Sequence, residues 1–170
     1  RQRQPGADGR VFVDTSPVLE RLYARTAGLG WIGKNTMLIA PRRGSYFFLA
    51  GLALNLKLPA DSAETDHCGS CRRCLDACPT KAFPAERVLD ASRCVSYFTI
   101  ERRGAIPERF REGVGDWVFG CDICLQVCPF TSKSKESRWP ELKAEAGEGE
   151  SFDLLKLFEM KLIIMMINNT

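Results

Sequence analysis

At 170 residues the chain has room for one domain or two small ones, and a hydrophobic content of 45% is ordinary for a folded protein. Its 24 Lys and Arg against 21 Asp and Glu leave a net charge of +3, too small to establish a nucleic-acid partner by itself. The longest apolar run, Leu162 to Ile167, falls far short of the roughly 20 residues of a spanning helix, so no membrane partner is expected. No dinucleotide fingerprint, phosphate loop or paired-histidine metal motif occurs.

Residues 1–10 are polar and irregular and read as a loop. The chain opens on Arg1 rather than Met, which suggests a piece of a longer protein. Val11-Phe12-Val13 predicts a short strand ending at Asp14. Ser16-Pro17 then predicts a helix start, with serine as cap, proline in the first turn and Glu20 just inside. Val18, Leu19, Leu22 and Tyr23 would be its apolar stripe, and Gly28 its end. Asp14 would sit between strand end and helix start, where side chains project into clefts. The plainer reading is a carboxylate that stabilises the helix start.

Gly28 to Thr36 is a glycine-punctuated loop, and glycines let backbone approach a ligand closely. An ordinary turn-rich connection would look the same. Met37 to Ala40 predicts a strand, Pro41 to Ser45 a turn, and Tyr46 to Leu54 a buried strand. The polar stretch from Pro59 to Asp66 suggests a boundary near residue 60.

All eight cysteines follow that boundary. The first run is Cys68-x2-Cys71-x2-Cys74-x3-Cys78-Pro79, the bacterial ferredoxin pattern in which the fourth cysteine ligates the other [4Fe–4S] cluster. The second, Cys121-x2-Cys124-x3-Cys128-Pro129, has Val118 where a further cysteine would stand. Cys94 is the remaining thiol. The assignment that uses each cysteine once puts Cys68, Cys71, Cys74 and Cys128 on one cluster, and Cys78, Cys94, Cys121 and Cys124 on the other. Structural zinc favours paired Cys-x2-Cys elements at other spacings. A disulfide framework belongs to small secreted chains, and nothing here looks like a signal peptide. Reduced thiols imply a cytoplasmic location.

Arg72, Arg73, Lys81, Arg87 and Arg93, with Arg102, Arg103, Arg109 and Arg111, make the cysteine region basic. Such a surface suits anionic clusters and a phosphate backbone, or is simply a solvated face. Ser96, Thr99 and Glu101, just after Cys94, would line a cleft or cap a helix. Residues 132–150 read as exposed loop, and Phe152 to Ile167 as an amphipathic helix.

Three stretches together resemble the epoxyqueuosine reductase family, cobalamin- and iron–sulfur-dependent enzymes of tRNA queuosine biosynthesis. They are Val13 to Arg21, Ala27 to Thr36, and the Cys68–Pro129 region including Cys94-Val95-Ser96-Tyr97-Phe98-Thr99-Ile100-Glu101. Ser16 stands where glycine is common in the family. The resemblance implies reduction of epoxyqueuosine to queuosine at the wobble position of tRNA, with electrons passing through two [4Fe–4S] clusters to cobalamin. Asp14 matches the family's proton donor. Gly33, Lys34, Asn35, Thr36 and Ser96 would border the cobalamin and substrate cleft. A monomer served by an external flavodoxin- or ferredoxin-like electron donor is expected.

The fold class expected is α+β: residues 1–60 as part of a cobalamin-binding sheet domain, 61–131 as a two-cluster ferredoxin-like module, and 132–170 as a loop and helix. Two other readings stay open. One is a two-cluster electron-transfer protein with no substrate of its own, against which residues 11–54 argue. The other is a different cobalamin enzyme such as a reductive dehalogenase.

Overall fold

The structure is a computed structural model and describes residues 6–14 and 16–143. The helix expected over residues 152–167 lies outside the described residues, as do residues 144–150 of the expected loop. By its internal contacts the chain divides into two units, Arg1–Ser134 and Lys135–Thr170. In the second, the described residues hold one 3-10 turn, Pro140–Leu142, with proline in its opening position.

The first unit begins with strand β1, Gly9–Phe12, which pairs antiparallel with β4, Gly51–Leu54. The register sets Phe12 opposite Gly51, where the phenyl ring occupies the space a Cβ would need. Asn55 closes the ribbon: its side chain accepts from the Asp8 N–H at 2.8 Å and donates to the Gly6 carbonyl at 2.9 Å. The long buried strand expected over 46–54 is shortened to its last part. Residues 46–50 find no partner strand, and Phe48 is 89% exposed.

Helix α1 is Glu20–Thr26 and begins later than expected. Ser16 does not cap it. Its carbonyl instead accepts from Val18 N–H at 2.7 Å in a tight turn, and Leu19 takes the cap position without a side-chain bond. The predicted apolar stripe also fails to reach a core. Leu19 and Tyr23 are exposed, and Ala24 is the buried residue of the helix, because a helix this short meets the next hairpin along one narrow face. The end falls as expected, with Gly28 left-handed at φ 70°.

That hairpin is β2, Trp31–Ile32, against β3, Leu38–Ile39. Gly33 N–H donates to Met37 carbonyl at 2.8 Å, and Thr36 N–H to Gly33 carbonyl at 3.0 Å. A side chain on Gly30 would collide with the Ile39 carbonyl, so this glycine is required by close backbone approach. Thr36 holds φ 65°, unusual for a β-branched residue.

The cysteine region folds as two copies of one device. Helix α2, Arg73–Asp76, and helix α5, Ile123–Gln126, each start inside a Cys-x2-Cys pair, run through a buried leucine (Leu75, Leu125) and end at Cys-Pro. The two helices pack on each other. Between them lie α3, Val95–Ile100, and α4, Glu108–Val114. Val95, Phe98 and Val114 form their core, ringed by Tyr97, Ile106, Phe110, Trp117 and Cys121. Burying Phe98 alone contributes about 1.5–3 kcal/mol. This core holds Cys94, at the start of α3, beside Cys121.

Candidate metal centre and neighbouring cleft

Cys68, Cys71, Cys74 and Cys128 line a cavity of about 130 Å³. Cys68-to-Cys71 is a tight turn, closed by the Cys71 N–H donating to the Cys68 carbonyl at 3.0 Å. The Cys-Pro step at the end of α5 brings Cys128 to the same cavity. Burial pushes up the Cys74 thiol, and charge at Cys68 and Cys128 adds to the effect.

The other thiols form a second set. Burial raises the Cys121 thiol, with Cys94 and Cys78 adding to it. Cys124 is pushed up to about 12, first by burial and then by Cys121, Cys74, Cys94 and Cys78. Cys94 is therefore within electrostatic reach of Cys121 and Cys124. Cys78 Sγ accepts from Ala82 N–H at 3.3 Å. All eight cysteines are free thiols.

Buried thiols that resist ionisation exchange their protons for a soft cation far more readily than they carry bare charge. Among the described residues no three His, Cys, Asp or Glu side chains converge on a point that would hold a single ion. Thiols arranged around a cavity suit a cluster, in which each sulfur meets a different iron.

The glycine loop is tied to these cysteine loops. Lys34, 5% exposed, donates to the Gly69 carbonyl at 2.7 Å and pairs with Glu86 at 2.9 Å. Asn35, 2% exposed, donates to the Cys124 carbonyl at 3.2 Å. Both side chains were expected to border an open cobalamin and substrate cleft. Their polar atoms are instead taken up in holding the cysteine loops, which sit directly across from the hairpin. Gly33 is buried with them, whereas Thr36 is partly exposed and its carbonyl accepts from Arg21 Nη1 at 2.7 Å. Ser96 is partly exposed on α3. Thr99 Oγ1 donates within its own helix, to the Val95 carbonyl at 3.1 Å, and also reaches the Gly120 carbonyl at 3.4 Å.

Asp14 is exposed, holds φ 54°, and lines a cleft of about 550 Å³ with Glu20, Arg21, Met37, Ser45 and Phe47 among its walls. Aspartate is one of the few residues that tolerate this left-handed conformation. Two oxygens in the same walls, Glu20 Oε1 and Ser45 Oγ, are buried without a hydrogen-bond partner among the described residues. Between Ser45 and Phe47, Tyr46 turns toward the second thiol set. Its phenol is pushed up to about 12 by burial, then by charge on Asp122 and Cys124 and a hydrogen bond with Asp122.

Most basic side chains of the region are engaged locally. Arg72 and Arg87 pair with Glu86, and Arg87 pairs with Asp66. Arg102 and Arg111 donate to the Ala105 and Ile106 carbonyls, each at 3.0 Å, and Arg109 stacks over Phe110.

Sequence reasoning missed the aromatic wall of the first thiol set. Trp31, 2% exposed, meets His67 and Phe130 edge-on, each at a centroid distance of 4.8 Å, and its Nε1–H donates to Cys68 Sγ at 3.3 Å. A tryptophan set between two glycines was the available signal. It also missed Glu20, Ser45 and Tyr46, which sit on segments read only as helix start, turn and strand.

Two thiol sets around paired Cys-Pro helices define a double-cluster iron–sulfur domain of the bacterial ferredoxin type. A family described as a 4Fe-4S double cluster binding domain matches residues 67–131. The chain is 53% identical over 135 residues to an epoxyqueuosine reductase of Xanthomonas campestris pv. campestris, covering 79% of this chain and 38% of the relative. A crystal structure of epoxyqueuosine reductase with a tRNA-Tyr epoxyqueuosine-modified tRNA stem loop superposes with a TM-score of 0.75 at 38% identity, over 79% of this chain and 36% of that one. The Bacillus subtilis epoxyqueuosine reductase, solved with the catalytic loop of its aspartate swung out of the active site, gives a TM-score of 0.76 at 35% identity, over 82% of this chain and 37% of that one. Over 79% of its length the chain is similar in sequence and fold to epoxyqueuosine reductases, of which it spans less than half.

Proposed function

We propose that the protein acts in the reduction of epoxyqueuosine to queuosine at the wobble position of tRNA. The chain spans 38% of the length of the Xanthomonas relative, so the reaction is proposed for the protein as a whole. The observation that carries the reading is that Asp14 and the second thiol set share a wall. Ser45 and Phe47 face the cleft of Asp14, while Tyr46 between them faces Asp122 and Cys124.

Cys68, Cys71, Cys74 and Cys128 would hold one [4Fe–4S] cluster, and Cys78, Cys94, Cys121 and Cys124 the other. When bound, the clusters supply single electrons and cobalamin supplies the reduced cobalt that acts on the epoxide. The cleft fits one side of such a cofactor. Met37 and Phe47 give it apolar contact, and the unpartnered oxygens of Glu20 and Ser45 suit the amide groups on a corrin rim. Gly33, Lys34 and Asn35 support that wall from behind by fixing the loop, with Thr36 at its edge and Ser96 on the cluster side.

Turning an epoxide into an alkene consumes two electrons and two protons and releases water. Asp14 supplies a proton to the epoxide oxygen as the carbon–oxygen bond opens, a general-acid role that an exposed carboxyl lining the cleft can fill. Its left-handed backbone aims it from the end of β1 rather than into the helix. Opposite charge on the engaged arginines contributes to attraction of a tRNA backbone.

An external flavodoxin- or ferredoxin-like donor would supply the electrons. One copy carries both thiol sets and Asp14, consistent with action as a monomer. A cytoplasmic setting agrees with free thiols and a tRNA substrate; among the described residues no helix is long and apolar enough to cross a membrane.

The test is direct. The intact protein is reconstituted anaerobically with iron, sulfide and cobalamin, then given epoxyqueuosine-containing tRNA and dithionite. Nucleoside mass spectrometry should find queuosine. No product from protein with verified clusters and cobalamin would overturn the reading.

A further inference from the structure

The indole of Trp31 presents a buried donor to one cysteine sulfur, and this contact has a redox consequence. Trp31 is 2% exposed, so its N–H must find an acceptor within the protein. The acceptor is Cys68 Sγ at 3.3 Å rather than a carbonyl. His67 and Phe130 hold the ring edge-on from two sides, each at 4.8 Å, which leaves the donor little freedom to turn away. The backbone of β2 fixes the ring from below, through the pairing of Trp31 with Ile39.

We propose that Trp31 is a positioning residue for electron transfer: its indole N–H raises the reduction potential of the cluster held by Cys68 and leaves that of the other cluster unchanged. The inference rests on the reading of Cys68, Cys71, Cys74 and Cys128 as cluster ligands. One-electron reduction adds negative charge, part of which resides on the ligand sulfurs. A donor aimed at such a sulfur is bound more tightly after reduction than before, so it favours the reduced state. Hydrogen bonds to ligands and shielding from water are the levers by which a protein sets such potentials. Trp31 supplies both at the first thiol set. The second set has its own sulfur contacts, the Ala82 N–H and the Thr80 hydroxyl, at 3.3 Å and 3.7 Å from Cys78 Sγ. The two sets are therefore tuned by different means, and the first can be altered by itself.

The experiment is a potentiometric titration of the intact reconstituted protein, followed by electron paramagnetic resonance, in wild type and Trp31→Phe. Phenylalanine keeps a ring between His67 and Phe130 and deletes the N–H. Iron and sulfide analysis comes first, because fewer than two clusters in the wild type would sink the ligand reading rather than the role of Trp31. With two clusters in both proteins, one midpoint should fall, its reduced-to-oxidised ratio dropping by about tenfold at a fixed potential, or about 59 mV for a one-electron couple. The other midpoint should stay in place. Two unmoved midpoints, or two that move together, would overturn the inference.

Should Trp31→Phe fail to hold its clusters, the unsubstituted Trp31 decides the matter. In protein labelled with ¹⁵N-tryptophan and carrying Trp117→Phe and Trp139→Phe, pulsed resonance on the reduced state should show the Trp31 indole nitrogen coupled to one cluster. Absence of that coupling would overturn the proposal.

Discussion

The cysteine loops and the strand-end cleft settle their polar groups in opposite ways. Around the thiols, buried donors and acceptors are matched within the chain: Lys34 with Gly69 and Glu86, Asn35 with Cys124, Trp31 with Cys68. Around Asp14, two buried oxygens stay unmatched and the neighbouring Phe48 lies open. A site that holds an inorganic cluster needs rigid, fully bonded loops, since four thiolates must meet one cube. A cleft that admits a large cofactor and a nucleoside needs groups left to bond with them. Under the proposed function, the difference would separate the part that stores electrons from the part that does chemistry on carbon and oxygen.

Cys94→Ala gives the largest expected break in this comparison. It should remove one cluster and spare the other, so iron analysis would find about four atoms per chain instead of about eight. Retention of both clusters would take Cys94 out of the ligand set. Next in size, Lys34→Met strands the Gly69 carbonyl and removes one of the three cations paired with Glu86, costing about 1–3 kcal/mol by denaturant titration. Phe48→Ser, in the open cleft, should change stability by no more than about 0.5 kcal/mol in the same assay. Equal effects of these two substitutions would erase the distinction drawn between the regions.

The smallest effect concerns Tyr46. Its phenol is held up to about 12 against an ordinary value of 10.0, with burial the leading cause. An unfolded chain loses this proton first, so in the iron-free protein the folded state loses stability as pH rises from about 10 toward 12. Tyr46→Phe should flatten that part of the pH–stability curve, and the late phenolate band should vanish from an absorbance titration. A late band that persists in the variant would contradict this assignment to Tyr46.

The cysteine half of the site could be read from the chain because its signal is local. A thiol every third residue followed by Cys-Pro dictates a turn and a short helix, and the two copies then pack together. The grouping of Cys94 with the second set is readable by elimination, and in the structure its charge acts on Cys121 and Cys124. The cleft half was less legible. Lys34 and Asn35 carry the residue types of a binding loop, yet their partners lie 35 and 89 residues away, a separation that no periodicity announces. The strand over 46–54 was overread because apolar character marks a buried strand only where a partner strand exists, and β1 pairs with residues 51–54 alone. Ser16 had the chemistry of a cap, but the turn it makes with Val18 delays the helix to Glu20.

The central claim is that the cleft delivers the proton while the thiol sets deliver the electrons. Asp14→Asn tests it most directly, because the amide keeps the shape and tolerates the left-handed backbone but has no acid proton to give. In the intact protein, reconstituted with iron, sulfide and cobalamin, the variant should match the wild type in iron and sulfide content and in both cluster signals. Its conversion of epoxyqueuosine in tRNA, measured by nucleoside mass spectrometry, should fall by 100-fold or more, about the contribution of a positioned general acid. Turnover at the wild-type rate, or loss of a cluster from the variant, would contradict this division of labour.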